Sequence, residues 1–444
     1  MARVILLILA KFLTSSSAWV LRPVANVSTR GNAGFESFTI GSTTYLAAAN
    51  SGDPSSGNPD ADSTVWSVAI DGESLRLSKV QEMRTQGAHG WDYFEAAVAG
   101  GSAEGFLVVP NYHGCQREHG PATGDCRSTV VFRWDQALQR FEEAQRILTA
   151  GPRQTDHLVL PDGRAFVIVS ESLNDEVGIY QLKAGVEQAY AVEKVQALPV
   201  AGAASVALAN ISGHMHLIAS SYPPDHHSDA FKETRVYKLQ EPSGGSQGGF
   251  EGFVETQVLR TQGCRDAELG TVGRLVIAYL SEDSNADKTA TTSQVCRYNA
   301  AAKRFEPMQR LPGDGNHAAE LFEGPDGAAF LAVANFGDRD ARRHRAQSSV
   351  WRYSNDVKHF LQIATVQTFG ATDWEHFVID GRHFLAVSEE GEVADDEDQV
   401  SRIFELTEGD HPSFPSVKPA PANDDDDDGR SPRHDGRAPR YAEL

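Results

Sequence analysis

The sequence predicts an all-β protein, a seven-bladed β-propeller with four strands in each blade. Three observations predict this fold class. The chain is rich in glycine and in short apolar runs, which favours strands and turns over long helices. A short motif recurs seven times, with about 56 residues between copies, a spacing within the range of propeller blades. The first of these seven copies precedes the first complete unit, where it can close the ring.

We call the recurring motif the frame. It is an apolar residue, then Gln or Ala four positions later, then Gly six positions beyond that. The seven copies are Leu21-Ala25-Gly31, Leu77-Gln81-Gly87, Phe141-Gln145-Gly151, Val192-Gln196-Gly202, Phe253-Gln257-Gly263, Phe305-Gln309-Gly315 and Phe360-Ala364-Gly370. The apolar residue and the Gln or Ala belong to a fourth strand, and the Gly opens the next unit.

Each frame glycine is followed by three further strands. The second strand is a short apolar run that ends in a small polar residue, as in FLVVPN ending at Asn111, which is typical of a buried strand. The third strand alternates polar and apolar residues, as in STVWSV from Ser63, so we expect one of its faces to be buried and the other less so.

The two ends of the repeat region complement each other. After the last third strand, SRIFEL from Ser401, no fourth strand follows, but an unattached fourth-strand frame, LRPVANVSTRG, begins at Leu21. This N-terminal strand can complete the last blade and remove both open sheet edges at once. We therefore expect a propeller over residues 19–409 whose ring is closed by its N-terminal strand.

The first 18 residues are interpreted as a signal peptide. Arg3 precedes an apolar stretch, and Ser16 and Ala18 are the small residues expected before a signal-peptidase site. Lys11 interrupts the apolar stretch, so a segment that is not cleaved, or that directs the chain to an organelle, remains the alternative. No apolar run is long enough to span a bilayer. The sequence thus predicts a secreted protein without membrane insertion.

The composition limits the classes of partner. There are 61 acidic and 40 basic residues, and the formal charge of -21 repels phosphate backbones and anionic membranes. Nucleic acid is therefore not expected as a partner. Part of the excess lies in Asp424 to Asp428, within an acidic and proline-rich end that cannot bury a core. We expect residues 410–444 to form a disordered tail.

Two further patterns fit a secreted protein. Asn26 and Asn210 begin sequons for N-glycosylation. Cys115 and Cys126 lie in one polar loop, where an oxidising compartment favours a disulfide, and a zinc site shared with nearby histidines is the alternative. The sequence leaves open the state of the remaining two cysteines, Cys264 and Cys296, which fall in different predicted strands.

The pattern DWEHF, FLAVS and SRIFEL, together with fourth strands of the form FxxxQ and TxG, resembles the epilepsy-associated repeat, also called EAR, epitempin or EPTP. That family includes the propellers of the leucine-rich glioma-inactivated proteins. The resemblance covers roughly Leu21 to Leu406 and depends on seven copies in phase rather than on any single short motif. It implies an extracellular seven-bladed propeller that recognises proteins without known catalysis and that binds a calcium ion in the central channel of some members.

Acidic residues recur at one position of the repeat. The residues five past the frame glycines are Glu36, Asp92, Asp156, Ala207, Glu268, Glu320 and Glu375, and six of these seven are carboxylates. Because the first strand of a blade lines the channel of a propeller, we expect these groups to converge on the mouth of that channel. Crowded carboxylates raise one another's pKa unless a cation or a hydrogen-bond donor compensates.

Two interpretations of these carboxylates stay open. In the first they are architectural, and each accepts hydrogen bonds from an adjoining blade. In the second some of them also hold a calcium ion, with Asp266 and Asp373 as further ligands. Three aromatic residues near the same positions, Phe35, Trp91 and Trp374, are predicted to pack between blades.

The sequence therefore predicts a binding module rather than an enzyme. The long connections between second and third strands should open on one face and recognise an extracellular or cell-surface protein, or a glycan, with Ca²⁺ as the one cofactor considered. The alternative is a carbohydrate-active hydrolase or lyase that uses the channel carboxylates as acid and base. The recurrence of the acids around the ring argues against a dedicated catalytic pair.

Overall fold

A computed structural model describes residues 18–52, 61–97, 102–112, 128–185, 190–222, 232–240, 250–282, 291–337, 345–391 and 400–409. These residues form 28 strands in seven four-stranded antiparallel sheets, and they contain no helix. The all-β, seven-bladed architecture predicted from the repeats is therefore confirmed. Nothing in these ranges is a helix with the length and apolarity needed to cross a membrane.

The strands are numbered along the chain, and each blade is given from its innermost strand outwards. Blade 1 contains β2 (Asn32–Ile40), β3 (Thr43–Asn50), β4 (Ser63–Asp71) and β5 (Ser74–Met83). Blade 2 contains β6 (Asp92–Ala96), β7 (Glu104–Asn111), β8 (Ser128–Asp135) and β9 (Arg140–Leu148). Blade 3 contains β10 (Pro152–Val159), β11 (Ala165–Glu171), β12 (Glu176–Ala184) and β13 (Tyr190–Pro199). Blade 4 contains β14 (Ala203–Ile211), β15 (His214–Ser221), β16 (Lys232–Leu239) and β17 (Phe253–Thr261).

The remaining three blades follow the same order. Blade 5 contains β18 (Cys264–Val272), β19 (Leu275–Glu282), β20 (Thr291–Asn299) and β21 (Arg304–Gly313). Blade 6 contains β22 (Asn316–Glu323), β23 (Ala329–Asn335), β24 (Arg345–Ser354) and β25 (His359–Phe369). Blade 7 contains β26 (Ala371–Ile379), β27 (Arg382–Glu389), β28 (Val400–Gly409) and, as its outer strand, β1 (Ala18–Ser28).

The frame glycines have a common conformational cause. All seven have a positive φ, between 54° and 68°, a region that glycine adopts without a steric penalty. In blade 1 a Cβ on Gly31 would also lie 2.3 Å from the carbonyl oxygen of Gly52. The frame therefore ends in glycine because the chain turns there into the first strand of the next blade and passes close to other backbone.

The apolar strands are buried because neighbouring blades cover both of their faces. All seven residues of β11 are buried. The third strands are more buried than their alternating sequence predicts, since the first five residues of β8 are buried on both faces. Seven separate hydrophobic clusters lie between the blades, one for each pair of neighbours around the ring.

The N-terminal strand closes the ring as predicted. β1 pairs antiparallel with β28 from Ala18 opposite Gly409 to Ser28 opposite Val400. Trp19 on this strand is buried and packs edge-on against Phe330 of blade 6, with ring centroids 5.2 Å apart. The last blade is thus built from both ends of the described chain, which removes its open edge.

The frame glutamine links one blade to the next. Its side chain accepts a hydrogen bond from the backbone N–H of the frame aromatic residue in the following blade and donates one to the carbonyl of the same residue, all at 2.8 to 2.9 Å. Four such glutamine clamps are present: Gln81 with Phe141, Gln196 with Phe253, Gln257 with Phe305, and Gln309 with Phe360. The recurrence of Phe and Gln four positions apart follows from this contact.

Charged side chains replace the clamp between blade 7 and blade 1. Ala25 stands in the glutamine position of the closing strand and Ala364 in that of blade 6, and neither can form the clamp. Instead, Arg22 on β1 and Arg382 on β27 both bind Glu405 on β28. Both arginines also reach the β4–β5 turn of blade 1. The seam of the ring therefore depends on ion pairs where four of the other interfaces use an amide.

Candidate functional site

The first strands of the seven blades surround a common axis. Each of them contacts the first strand of the blade on either side, all around the ring. The start of a first strand lies beside the end of the second strand, as Asn32 opposite Asn50 shows in blade 1. The connections from second to third strands therefore leave at the same end as the frame glycines. We call this end the long-loop face.

Most of the carboxylates five past the frame glycines bridge adjacent blades. Glu375 accepts hydrogen bonds from the backbone N–H and the hydroxyl of Ser37 in blade 1, at 3.1 and 2.6 Å. Glu36 accepts one from the N–H of Tyr93 in blade 2 at 3.0 Å. In each case the donor is the residue six past the frame glycine of the next blade. The same contact, from a carboxylate at position five to a donor at position six of the following blade, therefore recurs around the channel.

Asp156 and Asp266 make equivalent bridges. Asp156 accepts a hydrogen bond from the N–H of Leu208 in blade 4 at 2.7 Å. Asp266, three past its glycine, accepts one from the N–H of Ala319 in blade 6 at 3.3 Å. These contacts correspond to the architectural role that the sequence left open.

The carboxylates are crowded enough to resist ionisation together. Burial raises the pKa of Glu375 and of Asp156 to about 7 and that of Asp266 to about 6, with the charge of Asp92 adding to the shift at Asp156. Burial and neighbouring carboxylates raise the pKa values well above the usual range at four more positions, namely Glu36, Glu268, Glu320 and Asp373. The mutual influence of these groups indicates that they surround a common space, and Glu375, for example, is the fifth of the nine residues of β26.

Two members of the set have no hydrogen-bond donor in the part of the chain that the structure describes. Glu268 in blade 5 and Glu320 in blade 6 are influenced by burial and by other carboxylates alone. The acids that raise the pKa of Glu268 are Asp266, Asp156 and Glu375, and those that raise the pKa of Glu320 are Glu375, Glu268, Asp373 and Glu36. At neutral pH such a group of acids must share protons or attract a cation, because its charges are otherwise uncompensated.

A second arrangement occurs between blades 2 and 3. Asp92 Oδ1 lies 2.8 Å from His157 Nδ1, and Asp156 Oδ1 lies 3.8 Å from the same nitrogen. Burial alone would lower the pKa of His157, but the charge of Asp92 and its hydrogen bond raise it to about 9. Within the described ranges this is the one set of three acidic, His or Cys side chains whose ligand atoms all lie within 4.8 Å of one another.

Sequence reasoning missed His157. It lies six past its frame glycine, a position that holds Leu in blades 4, 5 and 6 and a second histidine, His376, in blade 7, so the repeat did not single out an ionisable residue there. Its protonated ring compensates Asp92 locally, and Asp92 Oδ2 remains buried without a partner. This part of the channel thus carries its own cation, in contrast to the acids of blades 5 to 7.

The three aromatic residues near the carboxylates lie between blades, as predicted. Phe35, Trp91 and Trp374 are all buried, and each belongs to a different interblade cluster. His376, next to Glu375, stacks on Phe322 of blade 6 with centroids 4.1 Å apart. These rings fill space behind the channel and leave its lining to the carboxylates.

The other predicted modifications have mixed outcomes. Asn26 and Asn210 are both exposed, so their glycosylation stays a prediction that their position permits. Cys115 and Cys126 lie outside the described residues, as do the signal peptide up to residue 17 and the tail from residue 410. The remaining cysteines, Cys264 and Cys296, are both free and buried, which settles the question that the sequence left open.

The fold and the channel define a class of protein, a seven-bladed β-propeller whose innermost strands carry a ring of interblade carboxylates. The family model for the EPTP domain matches residues 359–391. The predicted resemblance to the EAR or EPTP propellers is thereby confirmed, and the chain carries an EPTP domain within this propeller.

Curated relatives agree with that assignment. The chain is 28% identical over 138 residues to the human thrombospondin-type laminin G domain and EAR repeat-containing protein, and 26% identical over 136 residues to the mouse protein. Each match covers 31% of this chain and 20% of the relative. The shared region is thus a fifth of those longer proteins.

A solved structure shows the same fold. A 6-phosphogluconolactonase candidate from Bacteroides uniformis superposes with a TM-score of 0.51 at 13% identity, over 81% of this chain and 96% of that one. At this level of identity the likeness concerns the fold alone, because propellers host many unrelated functions.

Proposed function

We propose that this chain is a secreted EPTP-type propeller that binds an extracellular or cell-surface protein through its long-loop face and holds a calcium ion among the carboxylates of its channel. The EPTP match supports a protein-binding module. In six blades the connection between the second and third strands has eight or more residues, and all of these connections lie on one face. In blade 3 the corresponding connection, between β11 and β12, is short and comprises only residues 172–175. A face with such connections around a rigid scaffold is a common place for recognition.

The calcium proposal depends on one observation, the uncompensated acids of blades 5 to 7. Glu268 and Glu320 have no hydrogen-bond donor among the described residues, and other channel acids raise their pKa values, Asp266, Asp156 and Glu375 that of Glu268, and Glu375, Glu268, Asp373 and Glu36 that of Glu320. No three of these carboxylates have oxygens within 4.8 Å of one another in the described ranges, so a calcium ion would have to draw them together. Carboxylate oxygens are the ligands that calcium prefers, and flexible sets of six to eight oxygens satisfy it. The acids of blades 2 and 3, Asp92 and Asp156, belong to the same predicted set, but His157 already compensates them.

Calcium binding has a sharp test. In EDTA, Glu268→Gln and Glu320→Gln should each raise the melting temperature, because each substitution removes an uncompensated charge. With calcium added, the wild type should be stabilised and both variants should lose most of that gain. Magnesium, which demands a tighter octahedral site, is the control ion. A wild type whose melting temperature is the same in EDTA and in calcium would exclude the site.

Partner binding is tested by capture and mapping. The tagged propeller should retain a protein from extracellular medium, and hydrogen–deuterium exchange of the complex should show protection at the ends of second strands, such as the segment after Asn50. The β2–β3 turn at residues 41 and 42, at the opposite end of blade 1, is the internal control. Protection confined to that opposite end would contradict the long-loop face.

Secretion can be tested by sequencing the N-terminus of the protein. The structure of β1 begins at Ala18, and Trp19 is already packed in the blade 6 and 7 cluster. Cleavage after Ala18 would therefore leave the closing strand intact. N-terminal sequencing of protein from the medium should begin at Trp19, and an intact N-terminus in cell-associated protein would favour the uncleaved alternative.

A catalytic function is the alternative proposal, because two carboxyl groups of the channel have pKa values near neutral pH. Asp156 and Glu375 have pKa values of about 7, a range that suits general acid or base catalysis. A hydrolase or lyase acting on polysaccharides would then lose its activity in Asp156→Asn or Glu375→Gln while keeping its fold. A screen of glycosides and polysaccharides with the purified protein distinguishes the two functions.

A further inference from the structure

Six of the seven first strands contain a β-bulge beside the frame glycine. The residue two past the glycine falls in this bulge, as Arg265 does between Cys264 and Asp266. Bulges commonly redirect a side chain next to a functional site. We call this long-loop end of the channel the mouth, and its bulge positions in blades 3, 4 and 5 are occupied by Arg153, Ala204 and Arg265.

Arg153 is a cation without an acidic partner. Its Nη2 donates a hydrogen bond to the hydroxyl of Tyr112 at 3.0 Å, and its guanidinium lies 4.6 Å from the centre of the same ring. Its Nε is inaccessible and has no hydrogen-bond partner. No carboxylate of the described chain lies within ion-pair distance of it. A guanidinium has five N–H donors in a planar fork, so most of this one's capacity is unused.

Arg265 is held in place from the other side. Its guanidinium lies 4.7 Å from the ring centre of Tyr222, and its Nη1 contacts His317 Nε2. His317 Nδ1 lies 2.7 Å from the carbonyl oxygen of Thr372, so Nδ1 carries the proton and Nε2 accepts from the arginine. This chain of contacts joins blades 5, 6 and 7 and fixes the orientation of Arg265.

The two arginines influence each other across the mouth. Burial lowers the pKa of Arg153, and the charge of Arg265 lowers it further. Ala204 of the intervening blade is small and buried, so no long side chain from blade 4 separates them. Two like charges on aromatic supports, one of them desolvated and unpaired, form an arrangement that an anion would stabilise.

The carboxylates further along the channel do not supply the negative charge that would stabilise Arg153 and Arg265. Asp156 lies three residues beyond Arg153 on β10, which corresponds to about 10 Å along a strand, and it bonds instead to Leu208 and lies near His157. Arg153 and Arg265 therefore lie nearer the long-loop face than the carboxylates five past the frame glycines do, and Asp266 and Asp373 lie between these two levels. An anionic group entering from the long-loop face would be attracted at the mouth and repelled beyond it.

We infer that the mouth between Arg153 and Arg265 binds a carboxylate side chain presented by a protein partner. This inference rests on the proposed protein-binding function and specifies one contact of that interface. A planar carboxylate matches the fork of a guanidinium, and the rings of Tyr112 and Tyr222 provide apolar surface for the stem of a Glu or Asp side chain. A polysulfated glycan fits less well, because the site has two cations rather than a stripe and the chain has a net charge of -21.

The test uses two peptides that differ in one group, acetyl-Gly-Gly-Glu-Gly-Gly-amide and its Gln counterpart, at constant ionic strength. Binding to the full propeller is followed by calorimetry and by the melting temperature. The Glu peptide should raise the melting temperature of the wild type with the logarithm of its concentration, and the Gln peptide should not. In Arg153→Gln the affinity should fall about tenfold or more, since hydrogen bonds to a charged group are lost.

Two further variants keep the result interpretable. Arg297→Gln removes an exposed arginine on β20 that has no ion pair among the described residues, and it should bind like the wild type. If Arg153→Gln does not fold, Arg153→Lys retains the charge but not the planar fork, and it should still bind several-fold more weakly.

Three outcomes would overturn the inference. The first is an equal response to the Glu and Gln peptides, and the second is undiminished binding of the Glu peptide by Arg153→Gln. The third is Arg153-dependent binding of a sulfated heparin disaccharide that is tighter than binding of the Glu peptide, which would identify a glycan instead. If Arg153→Gln still captures a protein partner at full affinity, the proposed function stands and this contact alone fails.

Discussion

The channel carboxylates should make the calcium-free propeller less stable as the pH rises. Glu375 has a pKa of about 7 in the folded chain, against an ordinary value of 4.5. Between these values the folded state binds the proton more tightly than the unfolded state does. The stabilisation from this group is therefore complete below about pH 4.5 and is lost as the pH rises through about 7.

The magnitude follows from the same two values. Each tenfold difference in proton affinity corresponds to about 1.4 kcal/mol, so the change from 4.5 to about 7 limits the contribution of Glu375 to the pH-dependent change in the free energy of unfolding to about 3 kcal/mol. The carboxylates influence one another, so their separate effects do not add. Other acids act in the opposite direction. Glu405, whose pKa is lowered by Arg382 and Arg22, stabilises the fold as the pH rises.

A variant isolates the effect of one carboxylate. Glu375→Gln is neutral at every pH, and its amide oxygen can still accept the hydrogen bonds from Ser37. In EDTA the variant and the wild type should have similar stability below about pH 4.5, and the variant should be more stable near pH 7.5 by up to about 3 kcal/mol. Urea unfolding followed by tryptophan fluorescence measures this difference, and Glu405→Gln is the control with the opposite sign.

Two results would refute this reasoning. One is a stability difference between Glu375→Gln and the wild type that does not change with pH. The other is a variant that is less stable than the wild type near pH 7.5 in EDTA, which would mean that the hydrogen bonds to the ionised carboxylate outweigh its repulsion.

Three further predictions concern the scaffold. Gln257→Ala should cost about 2 to 4 kcal/mol in chemical unfolding, because it removes two hydrogen bonds and leaves backbone groups of the next blade unpaired; Gln145→Ala, at a frame position that forms no clamp, should cost clearly less. Deletion of residues 18–28 should lower the melting temperature of the whole domain, and an unchanged value would contradict ring closure by β1. The thiols of Cys264 and Cys296, both buried with raised pKa values, should react with a thiol reagent only in denaturant, and rapid labelling of the folded protein would contradict their burial.

The repeat made the fold predictable. The frame recurs because each of its parts has a fixed physical role: the glycine needs a positive φ, and the glutamine joins one fourth strand to the next. A residue whose role is the same in several blades leaves a periodic signal, and an extra copy at Leu21 reveals where the ring closes. The number of blades and the partner of the N-terminal strand could therefore be read from one sequence.

Residues that break the repeat could not be found in this way. Arg153 and Arg265 share a position at which the other five blades have different residue types, and His157 has one counterpart, His376 of blade 7, so periodicity gives these residues little weight. Their significance depends on which blades face each other across the axis. His157 matters because Asp92 of the preceding blade lies 2.8 Å away, and Arg153 matters because Arg265 is two blades further on.

The two interpretations of the channel carboxylates apply to different members of one set. Where a carboxylate accepts an N–H from the next blade, as Glu36 and Asp156 do, the contact belongs to the architecture and repeats with it. Where no donor is described, as at Glu268 and Glu320, the same position contributes charge without a structural bond. Blade 4 has a neutral residue, Ala207, at this position. Glu268 and Glu320 are therefore the acids whose charge the proposed calcium ion would compensate.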